Sequence, residues 1–304
     1  MGKIISVTNQ KGGVGKTTTS INLSACLALS GRKVLVIDID PQSNASSGLG
    51  IVLAPGQKGV YELMMGDAEL GEAIHSTAID TLKIIPASVN LAGAEVELVP
   101  AEHREKKLKS ALEGLKGEFE FVIIDCPPSL GLLTLNALAA SHSALIPMQC
   151  EYYSLQGLSH LLKTLKLVKQ SINPGLTVEG IMLTMYDGRT VLANQVKEQV
   201  EKYFKNYLLD TVIPRNVRLS EAPSHGQPIV LYANRSKGAD SYVELAREII
   251  ARSKHNGQAP PGERPASVTL DPTCSTRMAG SDYQGQSEPG HPVPGRSPSD
   301  ESEL

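Results

Sequence analysis

A glycine-rich loop near the start of the chain has the residue types that hold a phosphate group. It places three glycines, two lysines and two threonines within eight residues, Lys11-Gly12-Gly13-Val14-Gly15-Lys16-Thr17-Thr18. Because glycine reaches backbone conformations that other residues avoid, successive N–H groups can converge on phosphate oxygens. A helix that follows such a loop adds the positive end of its dipole. The loop therefore predicts a phosphate-binding site.

The order of residues within the loop predicts a nucleotide with Mg²⁺. In the pattern G-x-x-x-x-G-K-[ST], the lysine neutralises the terminal phosphates and the hydroxyl binds Mg²⁺. Lys16 and Thr17 take these two places, whereas Gln10 stands where the pattern has its first glycine. A second lysine, Lys11, follows at once. The loop is thus a deviant form of the pattern, with one extra positive charge at its start.

Carboxylates follow two hydrophobic runs that are typical of buried strands. Asp38 and Asp40 come directly after one run, and Asp125 ends the other. A carboxylate in this position is suited to bind Mg²⁺ through water, and we assign that role to Asp125. Asp40 could orient an attacking water and is a further candidate for a magnesium ligand. Asp38 could do either, or pair with a lysine.

The alternation of apolar runs predicts how these residues are positioned. We expect strands at Ile4–Thr8, Val34–Ile37, Leu82–Ile85, Phe121–Ile124, Ala144–Pro147, Gly180–Met185 and Thr211–Ile213. Helix candidates lie between them, at Lys16–Ser30, Glu102–Leu115, Leu130–Ala140, Leu155–Gln170, Leu192–Tyr203 and Ser241–Arg252. Such alternation predicts an α/β fold, a doubly wound and mostly parallel sheet flanked by helices. Ligands bind beyond the carboxyl ends of the strands in these sheets, where the motifs fall.

Composition divides the chain into two parts. Residues 1–253 carry the alternating pattern and form the predicted ATPase domain. Residues 254–304 are rich in Pro, Gly and Ser, and we predict that this tail is disordered because it has too little apolar surface to offset its chain entropy. The tail holds four basic and seven acidic residues, leaving 25 of each in residues 1–253. Bulk charge therefore makes no case for nucleic acid, and any such binding needs a local patch.

The cysteines and the N-terminus favour a reducing, cytoplasmic setting. The 4 cysteines are scattered with no CxxC pair, which argues against a disulfide framework. The N-terminus runs directly into a strand pattern, without the apolar region of a signal peptide. No later apolar run is long enough to span a bilayer, so no membrane partner is expected.

Taken together, these motifs resemble the ParA/Soj partitioning ATPases, within the deviant Walker A group that includes MinD. The resemblance covers Lys3 to Arg252. It depends on KGGVGKTT, on the stretch at 38–42 (DIDPQ) and on the stretch at 125–129 (DCPPS). Two later stretches, MYDGR at 185–189 and IPRNVRLSEAP at 213–223, are similar to the partitioning branch in particular.

The resemblance implies a mechanism and a set of site residues. Two subunits would sandwich two ATP molecules, with Lys11 reaching the partner's phosphates. Lys16 and Thr17 would hold phosphate and Mg²⁺, Asp40 would assist hydrolysis and Asp125 would be the Walker B carboxylate. Catalytic roles thus fall on Lys11, Lys16, Asp40 and Asp125, and the rest of the loop, residues 12–18, binds the phosphates. Pro214 and Asn216 fall where the family lines its adenine pocket.

The resemblance also implies partners. The ATP-dependent homodimer would bind double-stranded DNA without sequence preference, using Arg189 and Arg218, and would be nucleoid-associated in that state. A ParB-type centromere-binding protein would stimulate hydrolysis and release the dimer, moving chromosome or plasmid cargo. An exposed arginine is more often a solvated surface charge, so the residues alone do not assign these two.

Three other functions remain open on the same fold. A MinD-like regulator of the division site would cycle on the membrane and would need a basic amphipathic helix at the C-terminus, where this chain has an acidic, proline-rich tail. An iron–sulfur ATPase would need paired cysteines, and Cys126 after Asp125 is better explained as a small buried hydrophobe. A metabolic ATPase with its own substrate pocket is the remaining alternative.

Overall fold

The sheet expected from the sequence is present. A computed structural model describes residues 2–115 and 117–255, with seven strands in one sheet. The strands are β1 (Lys3–Val7), β2 (Val34–Asp38), β3 (His75–Ser76), β4 (Leu82–Ile85), β5 (Phe121–Asp125), β6 (Ser143–Gln149) and β7 (Thr177–Thr184). Their order is β3-β4-β2-β5-β1-β6-β7, and all neighbouring pairs are parallel except β3 with β4.

Helices connect the strands. They are α1 (Lys16–Leu29), α2 (Asn44–Gly48), α3 (Val60–Met65), α4 (Leu70–Ala73), α5 (Leu91–Glu97), α6 (Lys107–Ala111), α7 (Leu132–Ala140), α8 (Ser154–Ser171), α9 (Val191–Phe204), α10 (Val217–Glu221), α11 (Ile229–Tyr232) and α12 (Lys237–His255). Short 3-10 turns occupy Arg104–Lys106, Leu112–Leu115 and Ala222–His225. In the described residues, no helix is long and apolar enough to cross a membrane.

Two apolar cores cover the two faces of the sheet. Val34 and Val36 of β2 belong to the core that includes α1 and α12. Leu35 and Ile37 of the same strand belong to the core that includes α5, α6 and α7. All four side chains are fully buried. This period of two, with both faces apolar, confirms the doubly wound α/β fold, since a parallel sheet is covered by helices on each side.

The strand expected at Thr211–Ile213 is wrong. Residues 207–214 run beside β7, but they make only isolated bridges, between Ile181 and Leu208 and between Tyr186 and Pro214. The amides of Asp210 and Thr211 instead donate to the two carboxylate oxygens of Glu248, each at 3.0 Å. Because a side chain takes these donors, the ladder is interrupted at that point.

Other element boundaries differ from those expected. The helix expected at Glu102–Leu115 is divided into α6 and two flanking 3-10 turns, and the one expected from Leu130 begins at Leu132. Between β2 and β5 the strand expected at Leu82–Ile85 is confirmed as β4, but α2 to α5 and β3 were missed, since pieces of two to seven residues hold too few apolar positions to show a period. The predicted tail lies outside the described residues, except that residues 254 and 255 continue α12.

Candidate functional site

The glycine-rich loop joins β1 to α1 at the carboxyl edge of the sheet. Gly13 and Gly15 have φ values of 72° and 87°, in the left-handed region that favours glycine. Nothing lies within 4 Å of where a Cβ would stand on Gly12 or Gly13. The backbone amides of residues 12–18 have no acceptor in the described part of the chain. An open loop with seven unpartnered amides at a helix start is a cradle for an anion.

Lys16 is directed along this loop. Its side chain is only 6% exposed, and Nζ donates to the carbonyl oxygen of Lys11 at 3.1 Å. Burial lowers the pKa of Lys16, while the nearby charges of Asp125 and Asp40 act in the opposite direction. A phosphate in the loop would supply the negative charge that a buried ammonium needs. Val14 is buried at the centre of the loop, and Thr17 and Thr18 are half-buried.

Asp125 lies under the start of α1, at the end of β5. It is fully buried and accepts hydrogen bonds from Thr17 Oγ1 at 2.8 Å and from Ser20 Oγ at 2.7 Å. Burial raises the pKa of Asp125, and the negative charge of Asp38 raises it further. Ser20 was not expected in the site, although its spacing of three residues from Thr17 puts both hydroxyls on one helix face.

A cation fits beside this carboxylate. Burial and the negative charge of Asp38 raise the pKa of Asp125, although the bonds from Thr17 and Ser20 oppose the shift, and a buried carboxylate in this environment is one that Mg²⁺ would stabilise. Among the described residues, no group of three or more His, Cys, Asp or Glu could hold a metal by itself. Such a donor set suits a Mg²⁺ that takes one hydroxyl, water and phosphate oxygens as ligands.

Asp38 has a structural role that sequence reasoning left open. Its Oδ2 accepts from the amide of Ser46 at 2.9 Å and from Ser46 Oγ at 2.7 Å. Its Oδ1 accepts from the amide of Asp40 at 3.1 Å. Burial raises the pKa of Asp38, and the bonds from Ser46 oppose that shift. These donors all belong to the segment that carries Asp40, so Asp38 shapes this loop and does not pair with a lysine.

Asp40 is held at the edge of the cradle by this loop. Its side chain is buried and accepts from the amide of Gln42 at 3.0 Å. Its charge acts on both Lys16 and Asp125, so the three groups are close together. One oxygen of the carboxylate is therefore used to fix the loop, and the other oxygen is available to a water or a metal.

Lys11 is paired with a carboxylate outside the phosphate loop. Its Nζ pairs with Glu151, which follows the end of β6, and both side chains are partly exposed. The Lys11 amide donates to Asn9 Oδ1 at 3.0 Å, while Asn9 Nδ2 donates to the carbonyl of Pro147 at 2.8 Å. The two lysines of the loop are thus separated: one lies along the phosphate cradle, and the other stands at the surface.

Pro214 pairs with Tyr186, two residues beyond β7, and Asn216 follows this bridge. Both are half-buried, and Asn216 Oδ1 accepts from the amide of Arg218 at 2.9 Å, which caps α10. The segment is tied to the carboxyl end of β7 by a hydrogen bond from Tyr186 N to Ile213 O at 3.0 Å. It therefore lies near the phosphate loop's side of the sheet.

The two arginines are at the surface, each paired within its own turn. Arg189 is 90% exposed and contacts Asp187 at 2.6 Å; Arg218 contacts Glu221 at 2.7 Å. The hydrogen bonds from Arg189 lower the pKa of Asp187 to about 2. Exposed pairs of this kind contribute little to stability, so a phosphate oxygen can replace the carboxylate at small cost.

Several known proteins are similar in sequence to this chain. A protein-family model described as an AAA domain matches residues 2–178. The chain is 59% identical over 251 residues to the sporulation initiation inhibitor protein Soj of Bacillus subtilis, covering 83% of this chain and 99% of Soj. It is 54% identical over 252 residues to the chromosome partitioning protein ParA of Myxococcus xanthus, covering 83% of this chain and 89% of ParA.

Solved structures share the fold. The cobyrinic acid a,c-diamide synthase of Mycobacterium smegmatis, determined with a bound ATP analogue and magnesium, is 38% identical with a TM-score of 0.74 and covers 84% of this chain and 97% of its own. The cell division ATPase MinD of Pyrococcus furiosus is 32% identical with a TM-score of 0.70, covering 83% and 100% of the two chains.

Proposed function

The chain belongs to the Soj/ParA family of chromosome-partitioning ATPases, and we propose that it hydrolyses ATP with Mg²⁺ to drive a DNA-binding dimer cycle. The family resemblance expected from the sequence is confirmed by these relatives. The observation that carries the cycle is the separation of the two lysines. Lys16 lies along the cradle in its own subunit, whereas Lys11 stands exposed beside it.

The chemistry of one subunit follows from its own residues. The amides of residues 12–18 and Lys16 would bind the triphosphate, and Thr17 with Asp125 would hold Mg²⁺, which supplies charge neutralisation at the phosphates. Asp40 would position the attacking water, since its second oxygen is available. Asp38 and Ser46 would keep Asp40 in place through their buried hydrogen bonds.

The dimer would complete the charge balance. A triphosphate in the cradle faces one buried lysine, which leaves negative charge at its outer end. Lys11 of the partner subunit would supply the second positive charge after it exchanges Glu151 for a phosphate oxygen. Exposed ion pairs exchange at a cost of about 0–1 kcal/mol, so this pair is no obstacle. Pro214 and Asn216 would line the adenine side.

DNA would bind to the exposed arginines of the two subunits together. Arg189 and Arg218 are at the surface with weakly held carboxylate partners. Because residues 1–253 carry equal numbers of acidic and basic side chains, affinity would depend on local patches doubled by dimerisation and would fall steeply with salt. A ParB-type partner would stimulate hydrolysis and release the dimer from the nucleoid to move its cargo in the cytoplasm.

Binding to nonspecific duplex DNA tests the proposal. It should be measured with ATP, with ADP and without nucleotide across a salt series, together with the mass of the protein in each state. We expect dimerisation and DNA binding only when ATP is present, and not with ADP or without nucleotide. Both should be weaker in Lys11→Ala. Lys169→Ala, at an exposed position on α8, is the matched control and should behave as the wild type.

Two outcomes would redirect the proposal. A Lys11→Ala variant that dimerises normally would remove the account of the second lysine. ATP hydrolysis without DNA binding in any nucleotide state would favour a metabolic ATPase, as the name of the Mycobacterium structure indicates for that protein. ATP-dependent binding to lipid vesicles instead of DNA would favour a MinD-like cycle.

A further inference from the structure

Side chains at the carboxyl ends of β6 and β7 donate hydrogen bonds to carbonyl oxygens of the phosphate loop. Thr184, the last residue of β7 and only 2% exposed, donates from Oγ1 to the carbonyl of Val14 at 2.8 Å. Gln149, the last residue of β6, donates from Nε2 to the carbonyl of Gly13 at 2.8 Å. Two successive carbonyls of the loop are therefore held by side chains more than 130 residues away along the chain.

These bonds determine where the loop's amides point. A peptide unit is planar and trans, so a carbonyl and the N–H of the next residue point in opposite directions. The carbonyls of Gly13 and Val14 point towards Gln149 and Thr184 at the edge of the sheet. The amides of Val14 and Gly15 therefore point away from the sheet. Those two amides belong to the group without an acceptor in the described residues. A phosphate that pulls on these amides also pulls on Gln149 and Thr184.

The residue after Thr184 is in an unfavourable backbone conformation. Met185 has a φ of 49°, in the left-handed region that is unfavourable for a residue with a side chain. Its sulfur lies 2.9 Å from Gln149 Nε2, the same nitrogen that bonds Gly13. The contact with Gln149, which also bonds the phosphate loop, therefore helps to hold Met185 in a conformation that a residue with a side chain does not favour.

The next residue connects both arginine-bearing segments. Tyr186 N donates to Ile213 O at 3.0 Å, and Tyr186 O accepts from Arg215 N at 3.4 Å. On one side the chain continues through Asp187 to Arg189. On the other side the 213–215 segment leads into α10, which carries Arg218. One short stretch, residues 184–186, thus lies between the loop and both surfaces.

We propose that Thr184 and Gln149 are positioning residues that orient the phosphate-loop amides and couple their occupancy by a triphosphate to the Arg189 and Arg218 segments through Met185 and Tyr186. The coupling rests on the proposed DNA-binding function for its biological meaning. Its physical basis does not, because a ligand shifts a conformation only by interacting differently with its states, and a phosphate that moved the loop amides would alter the bonds from Thr184 and Gln149.

The test compares the same substitution at the two ends of β7. Thr184→Val removes the hydroxyl and keeps the shape of the side chain. Thr177→Val is the matched control, because Thr177 begins the strand and donates to the carbonyl of His142 at 3.2 Å, away from the loop. Both variants are measured by hydrogen–deuterium exchange of residues 185–190 and 213–219, with and without a non-hydrolysable ATP analogue, and by DNA affinity in ATP and ADP.

We expect the analogue to protect both segments in the wild type and in Thr177→Val. In Thr184→Val, protection of these segments should disappear at a saturating analogue concentration, while the phosphate loop itself remains protected. Affinity for ATP should fall only about threefold to tenfold, the effect of one hydrogen bond. The ratio of DNA affinities in ATP and ADP should fall towards one. Full protection and an unchanged ratio in Thr184→Val would overturn the coupling.

A second variant keeps the test independent of folding at the buried threonine. Gln149→Met removes the donor at a half-buried position, and Gln170→Met on the exposed side of α8 is its control. The same loss of remote protection is expected, and its absence would overturn the proposal. If the wild type binds no DNA in any nucleotide state, the partitioning function fails, while the exchange measurement still decides whether the coupling exists.

Discussion

The phosphate site and the arginine surface both contain charged side chains, yet the two regions differ in how firmly these side chains are held. Asp125 is fully buried beneath α1 with two hydroxyl donors. Arg189 is almost fully exposed beside a single carboxylate. Disturbing a buried charge costs on the order of several kcal/mol, whereas an exposed pair contributes little to stability. The first region suits fixed chemistry, and the second suits exchange of one anion for another.

The two regions also differ in the proposed contacts: one would bind the chain's own nucleotide, and the other would bind a partner. The cradle is closed by residues from β1, β5, β6 and β7 of one subunit. Lys11, Arg189 and Arg218 instead pair with carboxylates of their own chain, and under the proposed function a phosphate of a partner would replace those carboxylates. Substitutions in the two regions should therefore differ in kind, and the following predictions are ordered by the size of the effect.

The largest effect is expected at the buried lysine. Lys16→Ala should lower nucleotide affinity by about a hundredfold or more, since it removes charge-assisted hydrogen bonds to phosphate in a buried site. Isothermal titration with ATP and ADP measures this decrease. Lys166→Ala, at an exposed position on α8, should leave the affinity unchanged. Wild-type affinity in Lys16→Ala would place the nucleotide elsewhere.

The next effect concerns hydrolysis alone. Asp40→Ala should slow ATP turnover by about 10²–10⁴-fold, the usual contribution of a group that positions or activates water. Nucleotide should still bind, and an ATP dimer should persist on DNA. Turnover is measured with saturating ATP, and Asp67→Ala, at an exposed turn, is the control. Rapid turnover by Asp40→Ala would exclude that residue from the chemistry.

A smaller effect is expected on the arginine surface. Arg218→Glu should spare nucleotide affinity and dimerisation, weaken DNA binding and reduce the slope of log affinity against log salt by about one for each phosphate that is no longer neutralised. Arg247→Glu is a close control, because Arg247 is also exposed and pairs with a glutamate three residues away. Equal DNA affinities in the two variants would remove Arg218 from the DNA surface.

The last prediction concerns stability. As pH rises, the carboxylates of the phosphate site should contribute less to stability, and the carboxylate beside Arg189 should contribute more. Burial raises the pKa of Asp125 and Asp38, so the folded protein without nucleotide keeps protons that the unfolded chain releases above about pH 4. Their contribution therefore falls as pH rises. The pKa of Asp187 is lowered to about 2, so its contribution is present above about pH 4 and is lost towards pH 2.

Thermal unfolding measured across pH distinguishes the contribution of the phosphate site from that of Asp187. Asp125→Asn should flatten the decline above pH 4, because the asparagine needs no proton to be neutral. Asp187→Asn should affect the curve only on its acidic side. A decline that persists unchanged in Asp125→Asn would mean that other groups cause it, and the contrast between the two regions would then fail for this property.

Much of the site follows from local sequence. The elements that carry the glycines, Lys16, Thr17 and Asp125 could be predicted, because a strand, a tight loop and a helix start are encoded by neighbouring residues, while the roles of these residues stay predictions. The parallel sheet followed for the same reason, since each buried strand is a short apolar run. Ser20 could have been found too, since it follows Thr17 by three residues on one helix.

Other features were decided by interactions between distant parts of the chain. Glu248 takes the amides of Asp210 and Thr211 and so prevents the strand expected there. Asp38 shapes the Asp40 loop because Ser46 turns back to meet it. Thr184 reaches Val14 across 170 residues. A periodic pattern does not indicate which side chain will donate to which carbonyl. That pairing depends on the register of β1, β6 and β7 in the folded sheet.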